Sequence, residues 1–547
     1  MLFAPTFPAY TGPHTVGSCD VEVPVFQLDS PVDAPDASLG TVAFRIFYPC
    51  EPESKPRPVK WLPSPQSEYV SAYCRFAGAS PRLAGFLSYF PQFLYMTSIP
   101  VQRNAKLAQA TTDTGRWPVL VFSHGLGGSR NAYSHICGSL ASYGIIVIAP
   151  DHRDTSSPIS FVRATETTEA KIVGYNKFSH TPSPEVYQGR DNQLRIRLWE
   201  LGCIHDAMVR IDLGTCPANL DDNKSSKGAR TEVLDMFRSK MNLHAPGSIA
   251  WAGHSFGATT MVQLLKSSYY SAPTESEKTE LTSTLFLPSR DSPIVQQITP
   301  ASVSLLLDMW CLPLRSKATR WLWNKPMPAY SQSHATVPPA GGSALLSVLS
   351  ESFAIWDGNL NDTKRALAPT TAPPNGNIKW TPHFFYPEAS AHLSQSDFGL
   401  VFPWLTARVL KTKEPDRLLR LNARAMLQVL RENGFAVAGP TAADLETSKN
   451  TKMSEKPLDD AAILKADGGV RGWKAVEMKS FKIKQETVAS DDASASSGSG
   501  VHVEDDYQQE QAGEVDGADI VAPAEEGENL AMRPTASRRK SSAIAVH

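Results

Sequence analysis

The chain has 547 residues, almost no net charge, few cysteines and no long unbroken apolar run. A formal charge of −2 leaves no basic face of the kind on which nucleic-acid binders depend, so no nucleic-acid partner is expected. The seven cysteines, Cys19, Cys50, Cys74, Cys137, Cys203, Cys216 and Cys311, are odd in number and never spaced as C-x-x-C. That argues against a disulfide framework and against a zinc site, and no metal or other cofactor is expected. Residues Met1 to Tyr10 carry neither a basic n-region nor a continuous apolar h-region, so the expectation is a cytoplasmic protein without a cleaved secretory signal. The most lipophilic stretch, Leu83 to Val101, is interrupted by Pro91 and Pro100 and is barely long enough to cross a bilayer. It reads as a buried helix and loop, with a segment lying on lipid as the alternative.

What is present is a succession of short apolar runs at crossover spacing: Val42–Tyr48, Pro118–Ser123, Ile145–Pro150, Ile249–Gly253, Val303–Asp308, Leu345–Ser350 and His383–Tyr386. Rich in Val, Ile and Leu without strict alternation, they suit strands buried on both faces of a mostly parallel sheet. The fold class expected is α/β, a doubly wound sheet flanked by helices. A helix is expected from about Asn192, with Leu194, Leu198, Leu201, Met208 and Ile211 on its apolar stripe and Arg195, Arg197 and Glu200 off it. Three insertions rich in Ser, Thr, Pro or charge, Thr155–Gly189, Ser267–Pro300 and Lys317–Gly342, are candidate lids or surface loops. The catalytic domain is expected to span 1–440 and an acidic, mostly disordered tail 441–547, since Asp491 to Asn529 holds no Lys or Arg and little to bury.

The chemistry begins at Gly253-His254-Ser255-Phe256-Gly257, a G-x-S-x-G after an apolar run, the pattern that presents a nucleophile on a sharp strand-to-helix turn. Small residues are needed at 253 and 257 because a side chain there collides with the neighbouring backbone. Ser255 needs a base and an orienting acid, and in α/β-hydrolase order both follow it. His392, in the loop after the last strand, is the base, whereas His383 within that strand is structural. The acid is Asp308, closing the run Val303 to Leu307, or Asp357 after the next strand. Asp397 breaks the order and is assigned to capping the helix that follows it. The oxyanion donors expected are the backbone N–H groups of Phe256 and of Leu126, the latter in Ser123-His124-Gly125-Leu126-Gly127-Gly128. His152 and Arg153 orient a loop or rim the site.

These blocks resemble the serine-dependent, calcium-independent platelet-activating factor acetylhydrolases of the plasma and single-chain cytosolic type. The likeness is carried by Tyr10 to Gly17, Trp61-Leu62-Pro63, Pro118 to Gly128, Asp151-His152-Arg153-Asp154, Gly253 to Gly257, Leu307 to Pro313, and His392 with Asp397-Phe398, over most of residues 10–435. It implies an α/β-hydrolase fold and places the acid in the Leu-Asp-x-Trp block, selecting Asp308. It also implies Ser255 as nucleophile, His392 as base and the Leu126 and Phe256 amides as oxyanion hole. The activity implied is hydrolysis of a short or oxidised sn-2 acyl ester of a glycerophospholipid without a metal. The family's apolar interfacial region falls near Leu83–Thr97, which implies peripheral contact with a lipid surface. The alternatives are a general carboxylesterase, lipase or acyltransferase on the same residues, and a non-catalytic scaffold.

Overall fold

Consecutive Val, Ile, Leu and Phe side chains, buried on both faces, build the centre of the molecule. A computed structural model describes residues 7–89, 92–221, 232–273, 284–331, 337–368, 382–445 and 459–476. The chain opens with β1 (Thr15–Pro24), β2 (Thr41–Cys50), β3 (Pro58–Lys60), three helices α1 (Gln66–Phe76), α2 (Pro81–Leu87) and α3 (Gln92–Met96), and β4 (Ser98–Arg103). Next come β5 (Trp117–Ser123), α4 (Ser134–Ser142), β6 (Ile146–Pro150), the hairpin β7 (Ile159–Val162) and β8 (Lys171–Gly174), and the long helix α5 (Pro184–Leu213). The second half runs through β9 (Met241–Asn242), β10 (Ile249–His254), α6 (Phe256–Tyr269), β11 (Ser304–Leu307), β12 (Leu345–Val348) and β13 (His383–Pro387). It ends with α7 (Pro403–Leu410), α8 (Pro415–Glu432) and β14 (Trp473–Ala475).

The main sheet has the order β14-β13-β12-β11-β10-β5-β6-β2-β1-β4-β3, with β9 also paired to β5. From β13 to β6 every pairing is parallel, whereas β2 and β14 run antiparallel to their neighbours. This is the doubly wound arrangement expected, and it gathers the loops after β5, β10, β11, β12 and β13 at one edge, where sites of parallel sheets form. All seven expected strands are present, their ends displaced by a residue or two. The sequence reading passed over β1, whose Asp20 and Glu22 break the apolar pattern; both carboxylates are nearly buried and ion-paired, Asp20 to Arg45 at 2.8 Å and Glu22 to Arg153 at 3.3 Å.

Four expectations are corrected. Helix α5 starts at Pro184, not near Asn192, because Ser183 caps it through a 3.2 Å bond from the Val186 N–H. Arg197 and Glu200, expected off the apolar stripe, are buried because the helix is covered by the loop 151–157, where Arg197 meets Asp154 at 2.6 Å. The stretch read as a buried helix and loop instead exposes Leu83, Phe86, Tyr89, Phe93 and Met96. The boundary at residue 440 falls inside the folded body. Beyond it, Asp460 forms a buried ion pair with Arg424 at 2.7 Å, and buried Trp473 donates to the Ile463 carbonyl at 2.8 Å as β14 extends the sheet. Residues 477–547, with the acidic stretch, lie outside the described residues.

Of the insertions, the first contributes the β7–β8 hairpin and the start of α5, while the third buries Trp323, Met327 and Tyr330 against the core. Residues 274–283 and 332–336 of the second and third lie outside the described residues. No described helix is long and apolar enough to cross a membrane.

Candidate active site

Ser255 stands between the end of β10 and the start of α6 with φ 56° and ψ −121°, a conformation that costs an L-residue about 1–3 kcal/mol. Close packing enforces it. A Cβ on Gly253 would sit 2.5 Å from the Gly257 carbonyl carbon, and one on Gly257 would sit 2.1 Å from the Ser123 carbonyl oxygen. The Ser255 N–H donates to Leu307 O at 2.8 Å, tying the turn to β11. Its hydroxyl takes part in no hydrogen bond among the described residues, and the side chain is 4% exposed.

Asp308 follows β11 and also lies in the left-handed region, at φ 41°. Its N–H donates to Val348 O at 2.9 Å and one carboxylate oxygen accepts from the Ser350 N–H, so the ends of β11 and β12 hold it. The other oxygen is 3.1 Å from Nδ1 of His392, and Asp308 is fully buried. A carboxylate on Nδ1 fixes the imidazole tautomer and leaves Nε2 as the basic atom. Phe353 stacks on the His392 ring at 4.4 Å and 6°, and His254, next to Ser255, lies 4.4 Å from the same ring. Asp357, the competing acid, is exposed at the start of the helix Asp357–Leu367.

His254 is held at one ring nitrogen, and its Nε2 is buried without a hydrogen-bond partner among the described residues. Burial, and next the neighbouring His392, hold its pKa well below the usual imidazole range, and its Nδ1 is hydrogen-bonded to the Tyr133 hydroxyl at 2.7 Å. Ligand atoms of His254, Asp308 and His392 lie within 4.8 Å of one another. Asp308 already spends both oxygens on Ser350 and His392. The Asp308–His392 pair has the geometry of an oriented imidazole.

The glycine-rich loop after β5 comes against this turn: a Cβ on Gly125 would lie 2.9 Å from Ser255 Cβ. Within the loop, the Gly125 N–H donates to the Tyr133 hydroxyl, that of Gly127 to Ser156 O and that of Gly128 to Gly125 O. Among the described residues, the N–H groups of Leu126 and Phe256 have no acceptor. Phe256 is the first residue of α6, where N–H groups lack partners by construction.

Beneath the loop lies a buried polar network that the sequence reading did not find. Arg197 donates to His124 O at 2.7 Å and to Ser156 Oγ at 2.6 Å, pairs with Asp154, and stacks over the Phe256 ring at 4.4 Å. His152 bridges Ser123 Oγ at 2.9 Å and Glu200 Oε2 at 2.7 Å, while Glu200 Oε1 accepts from the Arg153 N–H at 2.9 Å. His152 thus orients a loop. Burial pushes Glu200 up to about 8 and pulls His152 well below its usual value, so both shifts describe a neutral pair. Burial and then Arg197 push His124 down to about 3. Asp397 is a cap, though of a different helix from the one expected: it accepts from the N–H groups of Ser134 and His135 at 2.7 and 3.0 Å at the start of α4, and from Trp61 Nε1 at 3.1 Å. Burial raises its pKa to about 6.

Residues 4–327 match the family model described as platelet-activating factor acetylhydrolase, isoform II, a span that includes Ser255 and Asp308 and stops short of His392. A protein of Schizosaccharomyces pombe named putative phospholipase A2 is 31% identical over 445 residues, 78% of this chain and 92% of that protein. The platelet-activating factor acetylhydrolases of Cavia porcellus and Canis lupus familiaris are 29% and 30% identical over 265 and 225 residues, 48% and 40% of this chain. The matches span about half the length of those two relatives, 52% and 46%. A ferulic acid esterase from Streptomyces cinnamoneus aligns in structure with a TM-score of 0.40 at 16% identity, covering 82% of this chain and 97% of its own. On the extent of the family match and of the fission-yeast alignment, the chain belongs to the platelet-activating factor acetylhydrolase, isoform II, family.

Proposed function

We propose that the protein hydrolyses the sn-2 ester of glycerophospholipids that carry an acetyl, short or oxidised acyl group, with Ser255, His392 and Asp308 as its catalytic triad. The observation that carries this reading is the strained Ser255 turn beside the His392–Asp308 pair. His392 Nε2 takes the Ser255 proton as Oγ bonds to the ester carbonyl carbon, and Asp308 stabilises the imidazolium. The tetrahedral oxyanion accepts from the Leu126 and Phe256 N–H groups, which have no other acceptor among the described residues. When the C–O bond to glycerol breaks, His392 returns its proton to the leaving oxygen and the lysophospholipid departs. Water, deprotonated by the same nitrogen, then attacks the acyl-serine, releasing the short carboxylate and restoring the hydroxyl.

Substrate at an intracellular lipid surface is reached by peripheral contact in this reading. Supporting it are the apolar residues that α2 and α3 expose and those of α7, Trp404, Leu405 and Val409, with Phe93 and Phe402 packed edge to face at 6.1 Å between the two groups. The test is turnover of sn-2 acetyl, oxidised-chain and long-chain phospholipids, with fluorophosphonate labelling of the wild type and of Ser255→Ala. Ser255→Ala is expected to lose both labelling and at least about three orders of magnitude in kcat. Full activity in that variant overturns the nucleophile, and equal rates on long chains overturn the substrate class.

A further inference from the structure

Two peptide planes decide where the Leu126 N–H points, because a planar trans peptide sets its N–H opposite its C=O. In the plane joining Gly125 to Leu126, the Gly125 carbonyl accepts from the Gly128 N–H at 3.1 Å and from His124 Nδ1 at 2.9 Å. The His152 N–H donates to Nε2 of the same ring at 3.1 Å, so the ring proton is on Nδ1 and makes the second of these bonds. In the plane joining His124 to Gly125, the carbonyl accepts from Arg197 at 2.7 Å and the N–H donates to the Tyr133 hydroxyl at 3.1 Å. The Leu126 N–H is the end of these two planes left without a partner among the described residues.

The tie to Tyr133 leads across to the nucleophile. The same hydroxyl is hydrogen-bonded to Nδ1 of His254 at 2.7 Å, and His254 ends β10 one residue before Ser255. Tyr133 is itself fixed. It is buried, its ring packs 5.2 Å from Phe122 and 5.4 Å from His254, and its carbonyl accepts from the Cys137 N–H at 3.0 Å at the start of α4. The loop lies close against it: a Cβ on Gly128 would sit 3.1 Å from Tyr133 Cε2, and one on Gly125 would sit 3.1 Å from the hydroxyl oxygen. The His254 ring stands 4.4 Å from that of His392. One buried oxygen therefore joins the loop of Leu126 to the turn of Ser255, beside the ring of His392.

We propose, resting on the ester-hydrolase reading, that Tyr133 is a positioning residue whose hydroxyl, held by His254, sets the place of the Leu126 N–H relative to Ser255 Oγ. Charge develops on the ester carbonyl oxygen only as Oγ bonds to carbon, so a misplaced donor is felt in the transition state and hardly in the bound ester. A shift of about 1 Å in such a group costs up to about a hundredfold in rate. Tyr133→Phe keeps the ring contacts and removes the oxygen alone, which releases the Gly125 N–H and lets its plane turn.

The test uses the full chain and a water-soluble acetyl ester, p-nitrophenyl acetate, so that lipid contact does not enter. Competent sites are counted by end-point fluorophosphonate labelling, and kcat and KM are measured per labelled site. A trifluoromethyl ketone reports the oxyanion directly: Ser255 Oγ adds reversibly to its carbonyl carbon, the hydroxyl proton passes to His392 and the carbonyl oxygen becomes the anion. Tyr133→Phe is expected to keep KM within about twofold and to lose about tenfold to a hundredfold in kcat and in ketone affinity alike. His254→Leu removes the same bond from its other end and carries the test should Tyr133→Phe fail to fold. The double variant is expected to be no slower than the slower single one, since both delete one bond. A wild type that labels and turns over while either variant keeps its kcat per labelled site overturns the role of Tyr133, as does a fall in kcat without a matching fall in ketone affinity. A wild type that neither labels nor turns over the ester overturns the hydrolase reading, and the role of Tyr133 with it.

Discussion

The loops at the carboxyl edge of the sheet and the surface formed by α2, α3 and α7 make opposite use of their side chains. Around Ser255 the chain buries polar and charged groups: the Arg197–Asp154 ion pair and the neutral His152–Glu200 pair are sealed from solvent and satisfy backbone groups of the Ser123 to Gly128 loop or each other. On the other surface it exposes apolar groups, with Phe86 at 61%, Trp404 at 70% and Val409 at 60%. A reaction that needs donors fixed to a fraction of an ångström is served by buried, directional bonds, which hold backbone where packing alone would let it shift. Contact with a fluid lipid surface needs apolar area and no fixed partner.

The sharpest way to break this contrast is to ask whether buried charge acts on the reaction itself. Asp308→Asn is expected to lower kcat by about four orders of magnitude, because the amide holds the wrong imidazole tautomer. Exposed Asp357→Asn is expected to stay within about threefold of wild type. Steady-state kinetics on a soluble ester decides it, and comparable losses in both would detach the reaction from the Asp308–His392 pair. Next in size is Arg197→Met, which leaves Asp154 buried without its cation at a cost of about 3–5 kcal/mol. Its unfolding temperature is expected to fall by several degrees, and adding Asp154→Asn is expected to restore part of the loss. Additive losses would mean the pair is not coupled.

The sequence made the proposed reacting groups legible because each follows an apolar strand: Ser255 after β10, Asp308 after β11, His392 in the loop after β13. Gly253 and Gly257 were legible for a steric reason that the close approaches bear out. Choosing between Asp308 and Asp357 needed the Leu-Asp-x-Trp resemblance, since both follow strands. What stayed hidden depends on contacts between distant segments. Arg197 and Glu200 read as a solvated helix face, because nothing local reveals that Asp154 and His152 cover them. Phe353, stacked on His392 from 39 positions earlier in the chain, and Asp397, capping α4 rather than its own helix, carry no local signal at all. The strand after residue 440 was missed because three residues, Trp473–Ala475, are too short a run to show a period.

For the apolar surface, the contrast predicts an effect on substrate at an interface and none on dispersed substrate. Trp404→Ser with Val409→Ser is expected to reduce turnover of vesicle-borne phospholipid by about tenfold, from lost apolar contact area, and to leave a water-soluble short-chain ester unchanged. Equal reductions on both substrates would make α7 a part of the fold near the site and not a lipid contact.

The last test concerns whether the His152–Glu200 part of the buried region is charged at all. Glu200, raised by burial to about 8, keeps its proton in the folded protein at pH 7, whereas the unfolded chain releases it near the ordinary value of 4.5. The native state then binds the extra proton between those values, so this group's contribution to stability is full below about 4.5 and is lost as pH rises through about 8. His152, whose folded value is depressed, is neutral in both states above about pH 7 and adds no slope there. Glutamine reproduces the protonated acid: its amide donates to His152 Nδ1 and its carbonyl accepts from the Arg153 N–H. Glu200→Gln is therefore expected to match the wild-type unfolding temperature near pH 4.5, to exceed it at pH 7 and to exceed it further at pH 9, with a flatter profile between, in thermal melts across that window. A wild-type profile as flat as that of the variant would mean that Glu200 is already ionised at pH 7, and the network beneath the Ser123 to Gly128 loop would then be held by a charged carboxylate and not by a neutral pair.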